Sequence, residues 1–159
     1  MLRFIHYAAE PFRPPLRSQE QEPIDRNLTN KPKGLWFSVE GEDDWPSWCK
    51  AEGFRLNRLT YAHYIRLQPD ARIMHLSSAA DIDLFTERYG KYNRLLAVYE
   101  KGREIAWSLV ADEYQGIVIA PYVWSRRLCY GANWYYSWDC ASGCVWDASA
   151  VAGVSLMQN

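Results

Sequence analysis

The chain has 159 residues, 48% of them hydrophobic, and a formal net charge of −1 at pH 7. This size and apolar content predict one globular domain over residues 1–159 and exclude a disordered chain, while the near-neutral charge excludes a general field for nucleic acid or anionic lipid. No stretch approaches the roughly 18 apolar residues of a membrane span, and the N-terminus lacks a signal-peptide core, so we expect a cytoplasmic protein without a membrane partner.

The first third of the chain contains two short apolar runs separated by a long polar segment. The run Leu2–Tyr7 predicts a first strand, and Leu35–Val39 predicts a second. Between them, residues 10–33 hold five prolines and no regular apolar period, so we expect a long loop there. Loops of this length inside a compact domain tend to be functional or disordered. An acidic turn at 40–44 then provides carboxylates that suit the N-cap of a helix.

The remaining elements mix helices and strands. We predict a helix over 45–51, strands over 61–67 and 72–76, a helix capped by Ser77 or Ser78 and ending at Tyr89, a helix over 104–114, and strands over 116–120, 134–138 and 143–146. The short links favour an α+β fold over a doubly wound sheet. The dinucleotide fingerprint Gly-x-Gly-x-x-Gly and the P-loop motif are both absent from the sequence.

Four cysteines, at positions 49, 129, 140 and 144, are too few and too irregularly spaced for a secreted disulfide framework. We therefore expect reduced thiols. A zinc site would need four ligands, and the pair Cys140 and Cys144 has neither a second close cysteine pair nor a nearby histidine. Buried structural cysteines are the favoured interpretation.

Aromatic residues are the compositional outlier, with 8 Trp and 11 Tyr. Large flat side chains in this number either line a slot for a ring or sugar or fill the core of a small domain. A C-terminal cluster favours an alternative function, an aromatic-rich module that binds single-stranded nucleic acid or sugar. The cluster consists of Tyr130, Trp134, Tyr135, Tyr136 and Trp138.

Two blocks resemble NAD-binding motifs of the ADP-ribosyltransferase superfamily. His6 lies on the first predicted strand, and Gly34-Leu35-Trp36-Phe37-Ser38 resembles the Gly-Ile-Tyr-Phe-Ala strand of the histidine-type branch, which includes poly(ADP-ribose) polymerases and diphtheria toxin. The resemblance implies that His6 binds the ribose next to nicotinamide and that Trp36 forms one wall of the nicotinamide slot. It also implies cofactor contacts from Tyr7, Gly34 and Ser38, and a second aromatic wall from Trp45 or Trp48.

The third motif of this family is a Glu at the head of a late strand. Gly143–Asp147 resembles that strand, but the simplest register places Ser142 at its head. Asp139 is the nearest carboxylate, at a position that resembles the acid of divergent prokaryotic and phage members, while Asp147 and Glu104 remain alternatives. Because the family Glu is missing, a catalytically inactive member of the fold also remains open.

The resemblance implies a split, mostly antiparallel sheet and an enzyme that uses NAD as substrate and releases nicotinamide. Asp139 would be the catalytic carboxylate and His6 its catalytic partner at the ribose, because a carboxylate stabilises the oxocarbenium-like state formed when nicotinamide leaves. Transfer of mono-ADP-ribose to a macromolecular acceptor, protein or nucleic acid, is expected; a toxin, a phage effector and a housekeeping enzyme all remain open as its context. Arg126, with Arg127, would contact pyrophosphate or a charged acceptor.

Each assignment has a plainer alternative. His6 and Trp36 could be core residues, Asp139 a turn residue that binds local amides, and Arg126 a solvated surface charge. The arginine-type branch of the superfamily is disfavoured, because its Ser-Thr-Ser and Glu-x-Glu motifs are missing. The related RNA 2′-phosphotransferases need several basic anchors around a phosphate, which this near-neutral chain supports weakly.

Overall fold

A computed structural model describes residues 2–27, 30–91 and 103–158. This part of the chain contains nine β-strands, three α-helices and several short 3₁₀ helices. The strands are β1 Phe4–Ala8, β2 Leu35–Val39, β3 Tyr61–Leu67, β4 Ile73–Leu76, β5 Gly90–Lys91, β6 Glu104–Ile105, β7 Gly116–Ile119, β8 Ser142–Val145 and β9 Val151–Leu156. The helices are α1 Trp45–Glu52, α2 Ala79–Tyr89 and α3 Trp107–Glu113. No described helix has the length and apolarity needed to cross a bilayer.

Seven strands form one sheet in the order β4-β7-β8-β2-β1-β3-β9, and β5 pairs with β6 separately. All pairs in the main sheet are antiparallel except β4 with β7. Parallel neighbours need a crossover connection, and the chain between β4 and β7 carries α2 and α3. The predicted α+β class with a mostly antiparallel sheet is therefore confirmed.

The sheet opens in its middle, between β1 and β2. These two strands pair only at Phe4 with Val39 and Ile5 with Ser38. In contrast, β1 pairs with β3 along its whole length, and β2 pairs with β8 from Leu35 to Ser38. The later part of β1 and the earlier part of β2 therefore diverge, and each follows its outer neighbour. A cleft lies where they separate.

The core is built largely from aromatic side chains. Phe85 on α2 packs against Trp107 and Trp134, and Trp107 in turn contacts Trp138 and Trp146. Thr86 on α2 accepts a hydrogen bond of 2.8 Å from the indole N–H of Trp134. Because a buried N–H without a partner is costly, this bond allows the indole to lie at 0% exposure.

Two predicted elements differ from the structure, and one observed strand was not predicted. The residues predicted as a strand over 134–138 fall in a 3₁₀ helix, Tyr130–Ser137, because burial recurs at a helical spacing in Trp134, Tyr135 and Trp138. The helix predicted over 104–114 is shortened to α3, since Glu104 and Ile105 pair with β5 instead. Strand β9 was not predicted at all, because its Gly, Ala and Ser residues weaken the apolar alternation.

Candidate active-site cleft

The opening between β1 and β2 forms a cleft of about 410 Å³. Its walls come from β1, β2, the start of α1, the 3₁₀ helix Leu56–Leu59 and the segment before β8. Its main lining residues are His6, Tyr7, Lys31, Trp36, Ser38, Trp45, Arg55, Arg58, Trp138, Asp139 and Cys140. Pockets of this size with aromatic walls and a few convergent polar groups are typical ligand sites.

A second cavity, of about 460 Å³, lies next to β9. It is lined mostly by proline and aliphatic side chains, and His63 is the only titratable residue in its lining. That composition provides little for catalysis. The cleft between β1 and β2, which contains an imidazole, a carboxylate and three cations, is therefore the better candidate for a functional site.

His6 bridges the gap where the two strands separate. Its Nδ1 donates a hydrogen bond of 2.7 Å to the carbonyl of Trp36, which the backbone of β1 no longer reaches. Burial lowers the pKa of His6, although the Trp36 carbonyl opposes this shift; the nearby His63 lowers the pKa further. The ring is therefore neutral at pH 7, and with its proton on Nδ1 it retains Nε2 as an acceptor.

His63 is the cross-strand partner of His6 and was not predicted as part of the site. Its side chain is 2% exposed, with the ring centroid 6.0 Å from that of His6. Nδ1 donates to the His6 carbonyl at 3.3 Å, and Nε2 accepts from the backbone N–H of Phe12 at 3.0 Å. His63 therefore attaches the loop after β1 to the sheet, and both of its nitrogens are used.

Trp36 and Trp138 form one aromatic wall, with ring centroids 4.8 Å apart. The Trp36 indole donates to the carbonyl of Pro32 at 3.2 Å, which fixes its orientation, and Lys31 Nζ lies 5.2 Å from its ring centroid. The indole N–H of Trp138 is buried and has no hydrogen-bond acceptor among the described residues. Cation–π contact with Lys31 adds to the polarity of this wall.

Trp45 lines the cleft from the first residue of α1, and Trp48 does not. The two indoles stack with centroids 5.1 Å apart and an interplanar angle of 15°, so Trp48 supports Trp45 from behind. Of the two residues predicted for the second aromatic wall, the structure therefore places Trp45 at the cleft.

The N-terminus of α1 is held in place by side chains on both sides. Asp44 is the N-cap and accepts from the backbone N–H of Ser47 at 2.9 Å, as the acidic turn predicted. Ser38 Oγ accepts from the backbone N–H of Trp45 at 2.9 Å. Since a hydroxyl also has one donor, Ser38 can still donate its proton into the cleft.

Asp139 is the only carboxylate in the lining of the cleft. It accepts from Arg127 Nη2 at 3.3 Å, and its side chain remains 25% exposed. The same guanidinium donates to Tyr122 Oη at 2.7 Å and to the Trp138 carbonyl at 3.2 Å. Arg127 therefore holds both the backbone carbonyl of Trp138 and the side chain of Asp139 in place.

The two alternative acids lie elsewhere. Asp147 is the N-cap of a 3₁₀ helix, and hydrogen bonds from Gln115 and Ser149 lower its pKa. Glu104 is buried on β6, where desolvation raises its pKa. Neither lines the cleft. Among the three acids considered from the sequence, only Asp139 is placed near His6 and Trp36.

Besides Trp48, two residues predicted to contact a cofactor, Gly34 and Arg126, are not in the cleft lining. A Cβ on Gly34 would lie 2.3 Å from the carbonyl oxygen of Val145, so this glycine allows β2 to approach β8 closely. Arg126 makes two hydrogen bonds of 2.7 Å to Asp83 on α2. Its neighbour Arg127 is the guanidinium next to the cleft.

Three cations in the cleft were not predicted from the sequence. Lys31, Arg55 and Arg58 all line it, and none forms an ion pair with a described carboxylate. Burial lowers the pKa of Lys31, and Asp139 counteracts this shift. The cleft is therefore locally positive although the whole chain carries −1. Lys31 was detectable, because it lies only three residues before Gly34, where the block that resembles the family motif begins.

The thiols are unsuited to nucleophilic or metal chemistry. Burial raises the pKa of Cys140, which lines the cleft, to about 12, and raises that of Cys144 well above its usual value. All four cysteines are free, and three of them are buried. The described residues contain no cluster of three or more potential metal-binding side chains. The three buried cysteines, Cys49, Cys140 and Cys144, are therefore protonated structural residues at neutral pH.

The C-terminal aromatic cluster does not form a stacking platform. Trp134, Tyr135 and Trp138 are at most 1% exposed, and only Tyr136, at 57%, is open to solvent. The side chain of Tyr130 lies outside the described part of the chain. Single-stranded nucleic acid would therefore need another surface.

No protein-family model, curated protein or solved structure matches the chain. The residues that line the cleft therefore provide the information on which ligand it can bind. Aromatic walls suit a flat ring, the neutral imidazole and the carboxylate suit a sugar, and the cations suit phosphates.

Proposed function

We propose that the protein is an NAD-dependent ADP-ribosyltransferase that transfers mono-ADP-ribose to a macromolecular acceptor. The observation that carries the proposal is the convergence of His6, Trp36 and Asp139 on one cleft. These residues come from three distant parts of the sequence, and the motif resemblance selected all three. The opening between β1 and β2 in a mostly antiparallel sheet supports the proposal, because the resemblance implies a split sheet.

NAD would bind with its nicotinamide between Trp36 and Trp45. Each aromatic contact of this kind contributes about 0.5–1.5 kcal/mol beyond the burial of area. Ser38 has a free hydroxyl proton for the carboxamide oxygen, and the backbone at Tyr7 lies along the same wall. His6 Nε2 accepts from a ribose hydroxyl, since Nδ1 is already bonded. Lys31 faces the pyrophosphate as an unpaired cation.

The reaction breaks the bond between C1′ of the ribose and the nicotinamide nitrogen. The electron pair leaves with nicotinamide, and the ribose acquires oxocarbenium character, which the Asp139 carboxylate stabilises. An O–H or N–H group of the acceptor then bonds to C1′ and releases its proton to solvent. The products are nicotinamide, the ADP-ribosylated acceptor and one proton. Mono-transfer follows from the missing family Glu, on which chain elongation depends in the family.

The direct test is incubation with NAD labelled in the adenylate, followed by measurement of free nicotinamide and of label in macromolecules. Wild type should release nicotinamide, and Asp139→Asn should release it about 10²–10³ times more slowly. The control Asp70→Asn removes a carboxylate from an exposed turn and should retain activity. Absence of both turnover and calorimetric NAD binding in the wild type would refute the proposal. NAD binding without turnover would identify an inactive member of the fold.

A further inference from the structure

A second group of aromatic side chains lies at the mouth of the cleft. Residues 45–58, here called the rim, run from α1 through the turn at Gly53 into the 3₁₀ helix Leu56–Leu59. Phe54 is 39% exposed and Leu56 is 51% exposed, and both lie next to residues that line the cleft. A surface of this kind is positioned to hold a molecule that enters the cleft.

The rings of the rim pack on one another and stay outside the main core. Trp45 stacks on Trp48, and Phe54 contacts both edge to face, with centroids 6.1 and 5.4 Å away. None of the three belongs to the main hydrophobic cluster. Core filling therefore does not explain these aromatic residues, whereas it does explain Trp107 and Trp134.

The rim also carries an excess of positive charge. It contains Lys50, Arg55 and Arg58 against one acid, Glu52. In the described ranges no carboxylate pairs with any of the three cations. Other arginines are neutralised in the fold, such as Arg88 by Glu113 and Arg126 by Asp83.

Arg55 is presented by an uncommon backbone conformation. Its φ of 48° and ψ of 35° lie in the left-handed region, which few residues other than glycine adopt. The guanidinium lies 5.0 Å from the centroid of the Phe54 ring. A ring and a cation are thus held side by side at the edge of the cleft, and both are exposed.

We propose that the rim binds single-stranded nucleic acid and that this strand is the acceptor presented to the cleft. Unpaired Lys and Arg side chains neutralise backbone phosphates, and exposed rings stack on bases that a duplex would keep paired. Arginine next to an aromatic ring adds cation–π contact with a stacked base. An acidic protein segment would satisfy the cations but leave the ring surface without a matching flat partner. The role of acceptor rests on the proposed function; the binding does not.

The binding test uses fluorescence anisotropy with a labelled 12-nucleotide strand of mixed sequence, without NAD, between 50 and 200 mM salt. The single strand should bind more tightly than its duplex. Arg55→Gln combined with Arg58→Gln should weaken binding about tenfold or more at low salt and reduce the slope of log K against log salt by about 1.4, since single strands give about 0.7 per phosphate contact.

The matched control is Arg66→Gln combined with Arg72→Gln. It removes the same charge from two exposed arginines that line neither cavity, and Arg66 is at the end of β3 away from the rim. This variant should bind the strand as wild type does. Equal losses in both double variants, equal affinity for duplex, or tighter binding of an acidic peptide would each overturn the proposal.

Phe54→Leu tests stacking separately, because it retains an apolar side chain but removes the ring. Its affinity for the strand should fall at least about fivefold with the salt slope unchanged. An unchanged affinity would show that the aromatic ring does not bind the strand, and this would refute the proposal. Circular dichroism of each variant checks that the fold is retained.

Label transfer from NAD to the strand distinguishes the two proposals. Strand binding without nicotinamide release would support the rim and refute ADP-ribosyl transfer. Nicotinamide release with label only in protein, and no affinity for the strand, would refute the rim and support the enzyme. If Arg55→Gln raises only the KM for NAD, Arg55 serves the dinucleotide and the assignment of a nucleic acid to the rim is wrong.

Discussion

The molecule contains two groups of aromatic side chains that differ in almost every physical respect. In the interior, Phe85, Trp107 and Trp134 are at most 3% exposed and pack through tilted and edge contacts. At the cleft, Trp45 and Trp48 stack face to face, are only partly buried and lie outside the main hydrophobic cluster. The first group stabilises the fold, and the second forms a surface.

The difference arises from the opening of the sheet. Away from the opening, Phe85, Trp107 and Trp134 belong to one buried hydrophobic cluster and are enclosed. Where β1 and β2 diverge, Trp36 lies in the wall of a cleft and its carbonyl is bound by His6 in place of a backbone partner. Composition therefore does not reveal the role of an aromatic residue; its position relative to this opening does.

The largest expected contrast is in stability. Trp134→Ala should lower the free energy of unfolding by about 3–5 kcal/mol, because it removes a fully buried ring from the core. Trp45→Ala should cost about 1–2 kcal/mol, since its side chain is only partly buried. Urea denaturation followed by circular dichroism measures both. Similar losses would contradict the division into two groups.

The next effect is on catalysis. Asp139→Asn should lower kcat by about 10²–10³ by removing the charge that stabilises the developing cation. Its stability should change little, because the Asp139–Arg127 ion pair is partly exposed and Arg127 keeps its bonds to Tyr122 and Trp138. Steady-state release of nicotinamide provides the measurement. A variant that folds and retains wild-type kcat would show that Asp139 is not the catalytic carboxylate.

Two conservative changes in the interior separate ring packing from hydrogen bonding. Trp134→Phe should cost about 1–3 kcal/mol more than Trp138→Phe, because it leaves the buried Thr86 hydroxyl without its donor, whereas the Trp138 N–H has no described partner. Both changes remove the same atoms. Thermal and urea unfolding of the pair would reveal the difference, and equal costs would contradict it.

A smaller effect is expected on NAD affinity. Trp45→Leu should raise KM for NAD about 2- to 12-fold by removing one stacked wall. Trp48→Leu is the matched control, since Trp48 lies behind Trp45 and outside the lining. If Trp48→Leu raised KM for NAD more than Trp45→Leu, the second aromatic wall of the nicotinamide slot would be Trp48 and not Trp45.

The smallest effect concerns pH. Burial places the pKa of His6 below its usual 6.5 in the folded state, so the folded protein favours the neutral ring. The resulting stability is fully present above pH 6.5 and is lost as pH falls through the folded pKa. His6→Asn keeps a donor for the Trp36 carbonyl without a titrating ring, so its stability should depend less on pH. Denaturation at several pH values and NMR titration of His6 test this; a His6 midpoint above 6.5 would contradict it.

Much of the fold was predictable from local pattern. The bounds of β2 and β3 agree with the predicted strands, and the cap of α2 at Ser78 was one of the two predicted. Strand β9 and the 3₁₀ helix Tyr130–Ser137 were not, because their conformations depend on pairing with β3 and on burial among distant rings. The sequence predicts an element well where apolar residues alternate or a helix cap is present. It predicts an element poorly where long-range contacts determine the backbone conformation.

For the cleft, the sequence alone determined a set of residue types, an imidazole, an indole and a late aspartate, which the family resemblance selected. Only the tertiary structure decided which of Trp45 and Trp48 and which of the three acids lines the cleft, and that Arg127, not Arg126, contacts its carboxylate. It also added Lys31, Arg55 and Arg58. The physical reason is that cleft membership depends on where two strands cease to pair, and that is set by long-range hydrogen bonding and packing.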